Sequence, residues 1–325
     1  MKTARIPDVD LPSLDADLPP WPGRVEQLDG AGLYVRDTPG GEGGEPALYV
    51  HGLGGSATNW TDLAALLAPR LDGQAIDLPG FGFSDPAPSS GRFAQPSGGY
   101  SQPALARRVA RWIEHSGRGP VHLFGNSLGG AVAIRLAATR PELVRTLTLV
   151  SPAVPQLRTS RERARMVPMM FLPNVEQLAT RRIGQVSPEQ MARGVLSLCY
   201  ADPSRISPAR MAEAVAEAER RMALPWAAES YVRSFRGLVT AYLQPPARSL
   251  WRLAARVAAP TLLVWGNQDR LVPVRYAART ARTIPDTRLL LLDGVGHTAQ
   301  MEAPDTVARA VLGLLDEAAA GSYRR

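Results

Sequence analysis

One serine is placed in this chain where nucleophilic chemistry needs it. A short apolar run, residues 121–124, leads into the G-x-S-x-G segment at 125–129, and an alanine-rich helical stretch follows at 131–139. A strand that turns sharply into a helix holds the serine in a strained conformation with its Oγ exposed, and the flanking glycines leave room for that turn. The helix N-terminus offers N–H groups to a developing negative charge. The segment therefore predicts Ser127 as a nucleophile.

A serine nucleophile needs a base, and only four histidines are available. His297 follows an apolar strand, residues 289–292, and lies in a glycine-flanked loop that suits an exposed imidazole. The other three fit the role less well. His51 and His122 both precede Ser127, and His122 lies inside the strand that leads to it. His115 lies at the end of a helical stretch, residues 105–114. We therefore predict His297 as the base.

The base in turn needs an orienting carboxylate. Residues 261–266 form another apolar run, which ends three residues before Asp269. By itself Asp269 is also consistent with a turn or N-cap residue before a helix starting at Val274, although the catalytic role is favoured. The order Ser, Asp, His, with each residue after the end of a strand, favours a catalytic triad of Ser127, Asp269 and His297.

These motifs resemble the α/β-hydrolase superfamily over residues 25–315, in its serine-nucleophile branch. Two further segments match: the H-G-x-G loop within 47–55 and the D-x-x-G-x-G-x-S turn at 77–84. The resemblance implies an oxyanion hole built from the backbone N–H groups of Leu53 and Leu128. It also implies that His51 and Asp77 support the backbone rather than transfer protons.

The resemblance also limits the chemistry. Relatives that use an aspartate nucleophile, such as haloalkane dehalogenases and epoxide hydrolases, are disfavoured because this chain has a serine there. In other relatives the acid follows the strand after the nucleophile helix. Here that strand, residues 145–150, is followed by Ser-Pro-Ala without a carboxylate, which again points to Asp269.

The order of elements predicts an α/β fold: a doubly wound, mostly parallel sheet, of eight strands by family resemblance, with an inserted α-helical cap. We predict a Pro-rich arm at 1–23, either disordered or draped over the core, a core at 24–152 and 257–320, and a cap at 153–256. A β-hairpin is expected at 25–37 and a surface loop at 86–99.

Composition agrees with a soluble enzyme. The chain has 325 residues, 45% of them hydrophobic, which suits one large core with an insert. It has one cysteine, Cys199, no apolar leader and no long apolar run, so we expect a cytoplasmic protein, monomeric or homodimeric. No metal-binding, cofactor-binding or nucleic-acid-binding motif is present, so we expect no metal, no cofactor and no nucleic-acid partner.

Charge is concentrated in the predicted cap. Residues 153–252 contain fifteen arginines and eight acidic residues, a net charge of +7 that equals the charge of the whole chain. A basic run at 158–165 leads into a Met-rich apolar run at 166–173. We favour an ordinary cap helix with methionines packed on the core, ahead of an acyl-chain lining and then of contact with an anionic membrane surface. The pocket and lid candidates are Asn126, Met166, Met169, Met170 and Phe171.

The substrate is less well defined by the sequence. A small carboxylic ester, with an apolar acyl group, is our first expectation. Carbon–carbon hydrolysis of meta-cleavage products is an alternative, because Gly125-Asn126-Ser127 is similar to that group, although Thr298 replaces the aromatic residue many of its members have after the histidine. An acyltransferase or perhydrolase with the same triad, and a ligand-binding receptor without turnover, also remain open.

Overall fold

A computed structural model describes residues 2–14, 21–38, 40, 43–88, 99–156 and 167–322 of the chain. Within these residues one sheet contains nine strands in the order β1-β9-β8-β7-β6-β4-β5-β3-β2. The strands are β1 Lys2–Thr3, β2 Gly23–Leu28, β3 Ala31–Thr38, β4 Glu45–Val50, β5 Leu71–Ile76, β6 Val121–Asn126, β7 Val144–Val150, β8 Thr261–Gly266 and β9 Thr287–Leu292.

The sheet is mostly parallel, as predicted. Only the β2–β3 and β3–β5 pairs are antiparallel. The carboxyl ends of β4, β6, β7, β8 and β9 therefore meet at one edge, where ligands of open α/β sheets bind. The three predicted catalytic residues all follow strands that end at this edge.

The ninth strand differs from the eight that were predicted. It comes from the N-terminal arm, where Lys2 and Thr3 pair in parallel with Arg288 and Leu289. The described residues of the arm then lie against the core, and several of their apolar side chains pack beside the buried cluster of one sheet face. These side chains are Ala4, Val9, Leu11, Leu14 and Trp21. A two-residue strand carries no periodicity, so its pairing could not be read from the sequence.

The predicted hairpin is present with a tighter turn. β2 and β3 pair as far as Leu28 and Ala31, which leaves only Asp29 and Gly30 between them. Both turn residues have positive φ, 46° and 79°, as a two-residue turn matched to the strand twist requires.

Helices cover both faces of the sheet, so the fold is doubly wound. Side chains of α2, α3, α8 and α9 join one buried cluster, and those of α1 and α11 join the other. The helices are α1 Thr61–Leu67, α2 Gln102–Ser116, α3 Leu128–Thr139, α4 Val175–Ile183, α5 Pro188–Cys199, α6 Pro208–Ala223, α7 Ala227–Tyr242, α8 Leu250–Ala254, α9 Ala277–Thr283, α10 Ala299–Glu302 and α11 Pro304–Ser322.

The insertion between β7 and β8 is helical. Its described residues, 151–156 and 167–260, contain α4 to α8 and no strand. The sequence predicts helices at 208–222 and 229–243, and these correspond to α6 and α7. Most of the predicted 86–99 loop lies outside the described residues. Within the described part of the chain, no helix is both long and apolar enough to cross a membrane.

Candidate active site

Ser127 lies at the sharp turn between β6 and α3. Its φ of 53° and ψ of −115° are strained for a residue with a side chain, which costs on the order of 1–3 kcal/mol. A Cβ on Gly125 would lie 2.6 Å from the Gly129 carbonyl oxygen, and one on Gly129 would lie 2.2 Å from that of Val50. Both glycines are therefore required sterically, and the turn has the geometry of a nucleophile elbow.

Asp269 and His297 form a buried pair at the same sheet edge. His297 Nδ1 lies 2.9 Å from Asp269 Oδ2, and Asp269 Oδ1 accepts hydrogen bonds from the backbone N–H groups of Leu271 and Val272, at 2.7 and 2.8 Å. Burial alone would raise the pKa of Asp269, but His297 and the two amides outweigh it, so this pKa lies below its ordinary value. Asp269 is therefore an ionised partner that holds the Nδ1–H tautomer of His297.

Asn126 connects this pair to the elbow. Its Nδ2 donates to the carbonyl oxygens of His297, at 3.2 Å, and Val150, at 3.1 Å. Within the described residues Ser127 Oγ makes no hydrogen bond to His297, a contact that in many enzymes tightens only when substrate binds. Asn126 was predicted as a pocket residue. In the structure it is buried, and its side-chain amide hydrogen-bonds these two backbone carbonyl oxygens.

The loop after β4 lies directly against the elbow. A Cβ on Gly52 would be 3.0 Å from Ser127 Cβ, so the backbone of the predicted oxyanion loop touches the nucleophile. The Gly52 carbonyl oxygen is held by the Gly55 N–H at 3.1 Å and by His51 Nδ1 at 2.7 Å. Because a peptide unit is planar, fixing this carbonyl also fixes the N–H of Leu53. The role of the Leu53 N–H as an oxyanion donor stays a prediction.

His51 has the supporting contacts that were expected of it. Its Nε2 accepts from the Leu78 N–H at 2.9 Å, so Nδ1 carries the proton and donates to Gly52. Burial, above all, lowers the pKa of His51 to about 4. The ring is therefore neutral and holds two loops together.

Asp77 also supports the loops. Its two carboxylate oxygens accept from the backbone N–H groups of Ala57, at 2.6 Å, and Phe83, at 2.8 Å. Burial and the nearby Glu217 raise the pKa of Asp77 to about 7. Its contacts connect the segment after the oxyanion loop to the turn after β5.

Glu302 is a site residue whose role the sequence did not reveal. This buried carboxylate accepts from the backbone N–H of Gly296 at 2.7 Å, next to His297, and from those of Ala201 and Asp202 at 3.0–3.1 Å. His297 N–H itself donates to the Cys199 carbonyl oxygen at 2.6 Å. The segment after α5 therefore fixes the histidine loop.

Cys199 does not compete with Ser127 as a nucleophile. Burial and the neighbouring Asp269 raise the pKa of the Cys199 thiol to about 12, which keeps it protonated at neutral pH.

A second contact from the insertion reaches the oxyanion loop. Arg221 of α6 donates through Nη2 to the Gly54 carbonyl oxygen at 2.5 Å and pairs with Glu217 at 3.3 Å. Ser56 also hydrogen-bonds the Glu217 carboxylate, whose pKa is lowered by Arg221 and Arg220 despite burial. In the sequence, charges four apart on a helix are typical of a solvated surface pair, so this role was not predicted.

The other predicted residues take no part in the hydrogen bonds described above. His122 is buried, 2.8 Å from Thr146 Oγ1, and His115 is exposed. Met169 and Phe171 are exposed on the insertion, Met170 is partly buried, and Met166 lies outside the described residues. The expected packing of methionines on the core is therefore wrong for Met169. In the described ranges no group of three or more His, Cys, Asp or Glu side chains could hold a metal ion.

The fold and this site define the class of the protein. Residues 46–304 match the family model described as alpha/beta hydrolase fold, and the chain belongs to that family. It is 28% identical over 90% of its length to the dihydrolipoyllysine-residue acetyltransferase component of the acetoin cleaving system of Cupriavidus necator. The matched region spans 69% of that relative and 65% of its Pseudomonas putida counterpart, about two thirds of each.

Two further relatives are hydrolases by name. The chain is 26% identical to a 2-hydroxy-6-oxononadienedioate/2-hydroxy-6-oxononatrienedioate hydrolase of Cupriavidus pinatubonensis, over 87% of this chain and 90% of the relative. A crystal structure of a membrane phospholipase A, described as a bacterial virulence factor, superposes with a TM-score of 0.70 at 25% identity. That superposition covers 92% of this chain and 87% of the other. The family and these relatives support a hydrolase.

Proposed function

We propose that this protein is a serine hydrolase that cleaves carboxylic esters with an apolar acyl group through an acyl-enzyme on Ser127. The observation that carries the proposal is the 2.9 Å contact between His297 and Asp269, connected through Asn126 to a strained serine. The similarity to a phospholipase structure supports ester chemistry.

The proposed reaction has two halves. Ser127 Oγ attacks the acyl carbon while His297 Nε2 takes its proton, and the N–H groups of Leu53 and Leu128 hold the oxyanion. The tetrahedral intermediate expels the alcohol, which receives that proton from His297. His297 then deprotonates water, which attacks the acyl-enzyme, releases the acid and restores Ser127. Asp269 stabilises the imidazolium in both halves, and each oxyanion donor contributes roughly 10²–10³ in rate.

The first experiment is a rate series on p-nitrophenyl esters from acetate to palmitate. Ser127→Ala should abolish turnover and labelling by a fluorophosphonate probe. Ser151→Ala is the matched control, because Ser151 is a buried serine at the end of the neighbouring strand and its Oγ has no hydrogen-bond partner among the described residues. Equal rates in folded Ser127→Ala and wild-type protein would overturn the proposal.

Two other activities are supported by particular relatives. Carbon–carbon hydrolysis is favoured by the similarity to the oxononadienedioate hydrolase. It predicts Ser127-dependent decay of a 2-hydroxy-6-oxo-dienoate with negligible ester turnover. Acyl transfer is favoured by the similarity to the acetyltransferase component. It predicts that an added thiol or alcohol captures the acyl group faster than water does, and a perhydrolase would use hydrogen peroxide in the same assay. Labelling of Ser127 without release would instead indicate a binding protein.

A further inference from the structure

Four large apolar side chains of the insertion are exposed close to one another in sequence. They come from the turn before α4 and from α4 itself. Their exposed fractions are 48% for Met169, 43% for Phe171, 53% for Leu172 and 45% for Leu178. Burying such side chains is favourable, and single exposed ones are common, but a group of this kind marks an interaction surface.

Arg236 of α7 fixes this group in place. Its guanidinium donates to the carbonyl oxygens of Met170, at 2.6 Å, and Leu172, at 3.2 Å, and pairs with Glu176 at 2.8 Å. The turn is therefore held on α7 by its backbone, so its side chains stay directed outward. The same contact neutralises Glu176, the one acidic residue among residues 167–183.

The remaining charge of residues 167–183 is positive. Arg181 and Arg182 follow Leu178 by three and four positions, so they share its face of α4. Both are exposed, and within the described part of the chain neither takes part in an ion pair. We call the surface formed by Met169, Phe171, Leu172, Leu178, Arg181 and Arg182 the apolar–basic face.

We propose that the apolar–basic face docks on an anionic lipid surface. Apolar side chains beside arginines match the boundary between acyl chains and negatively charged headgroups, where arginine stems lie along hydrocarbon and their charges reach phosphate. Each basic side chain near such a surface adds about fivefold to the partition coefficient. Charge complementarity favours lipid over a second copy of the chain, because two copies would bring like charges together.

Vesicle flotation of the full chain tests the proposal. The protein should float with vesicles that mix phosphatidylcholine and phosphatidylglycerol, and much less with phosphatidylcholine alone. High salt should weaken the binding because it screens exposed charges. Arg181→Gln/Arg182→Gln should lower the partition coefficient about thirtyfold, and Leu172→Ser/Leu178→Ser should lower it tenfold or more.

Matched controls use exposed side chains outside the apolar–basic face. Val25→Ser/Leu291→Ser and Arg256→Gln/Arg282→Gln should bind like the wild type, and thermal unfolding checks that each variant is folded. Absence of flotation, or flotation that the face variants do not reduce, would overturn the proposal. So would a face variant that converts a dimer into a monomer and leaves flotation unchanged, which would identify a self-association surface. None of these readouts depends on ester turnover.

Discussion

The side-chain amide of Asn126 donates a hydrogen bond to the carbonyl oxygen of His297 at 3.2 Å, across 171 positions of sequence. Since Asn126 directly precedes Ser127, this bond fixes the histidine loop relative to the nucleophile. The same amide also holds Val150 at the end of the neighbouring strand.

Loss of this bond should reduce turnover more than substrate binding. Asn126→Ala leaves the buried His297 carbonyl without this donor, at a cost of about 1–3 kcal/mol, whereas the Val150 carbonyl keeps its hydrogen bond from the Ser127 N–H at 3.1 Å. We expect kcat on the best ester to fall by about tenfold or more, with KM within about threefold. Asn126→Asp is the matched comparison, because it keeps the shape but places an acceptor against both carbonyls. If it turned over faster than the alanine variant, the role assigned to the donor would be wrong.

Glu302 should stabilise both the fold and the site. Its two oxygens face three backbone N–H groups, and a glutamine offers one acceptor while its amide nitrogen would oppose a donor. We expect Glu302→Gln to lower the free energy of unfolding by about 1–3 kcal/mol and to lower kcat. The exposed Glu142→Gln should stay within about 0.5 kcal/mol, as surface changes usually do. Denaturant titration measures the effect on stability, and ester kinetics measure the effect on kcat. An unchanged kcat would show that Glu302 does not position His297.

Arg221 should act through the oxyanion loop. Arg221→Lys keeps the charge but loses the planar guanidinium, whose Nη2 reaches both Gly54 and Glu217. We expect kcat to fall by roughly tenfold with little change in KM, because a loosened oxyanion hole weakens binding of the transition state and not of the substrate. Arg233→Lys is the control, since its ion pair with Glu229 is exposed. Equal kinetics of the two variants would contradict this role.

His51 predicts a pH effect on stability. Its pKa of about 4 in the fold lies below the ordinary value of about 6.5, so the unfolded chain takes up a proton first as pH falls. The stability that His51 contributes is therefore complete above about pH 6.5 and is lost progressively down to about pH 4. Comparison with His51→Gln isolates this contribution, because the raised pKa of Asp77 acts in the opposite direction and is present in both proteins. The difference in unfolding free energy should narrow by up to about 3 kcal/mol across that interval.

The two hydrogen bonds of His51 can also be separated. His51→Asn places a donor near the Gly52 carbonyl, and His51→Gln places an acceptor near the Leu78 N–H. If the hydrogen bond to the Gly52 carbonyl fixes the orientation of the Leu53 N–H, the asparagine variant should retain a higher kcat than the glutamine variant. The reverse order in ester kinetics would assign the main effect to Leu78.

The sequence by itself determined the family, the sheet and the places of the three candidate catalytic residues. Each of these depends on a local pattern of residues. An apolar run, a glycine pair and a polar residue after a strand suffice to place Ser127, Asp269 and His297 at one edge, since parallel strands all end there. The steric need for Gly125 and Gly129 is of the same local kind.

The tertiary structure alone decided what holds those residues. Glu302 meets Ala201 across 101 positions, and Arg221 meets Gly54 across 167 positions, so no local period marks either contact. The added strand at Lys2 and the exposure of Met169 and Phe171 likewise depend on which distant surfaces are available. A hydrogen bond or a buried face is a property of two segments together, and the sequence of one segment does not contain the other's position.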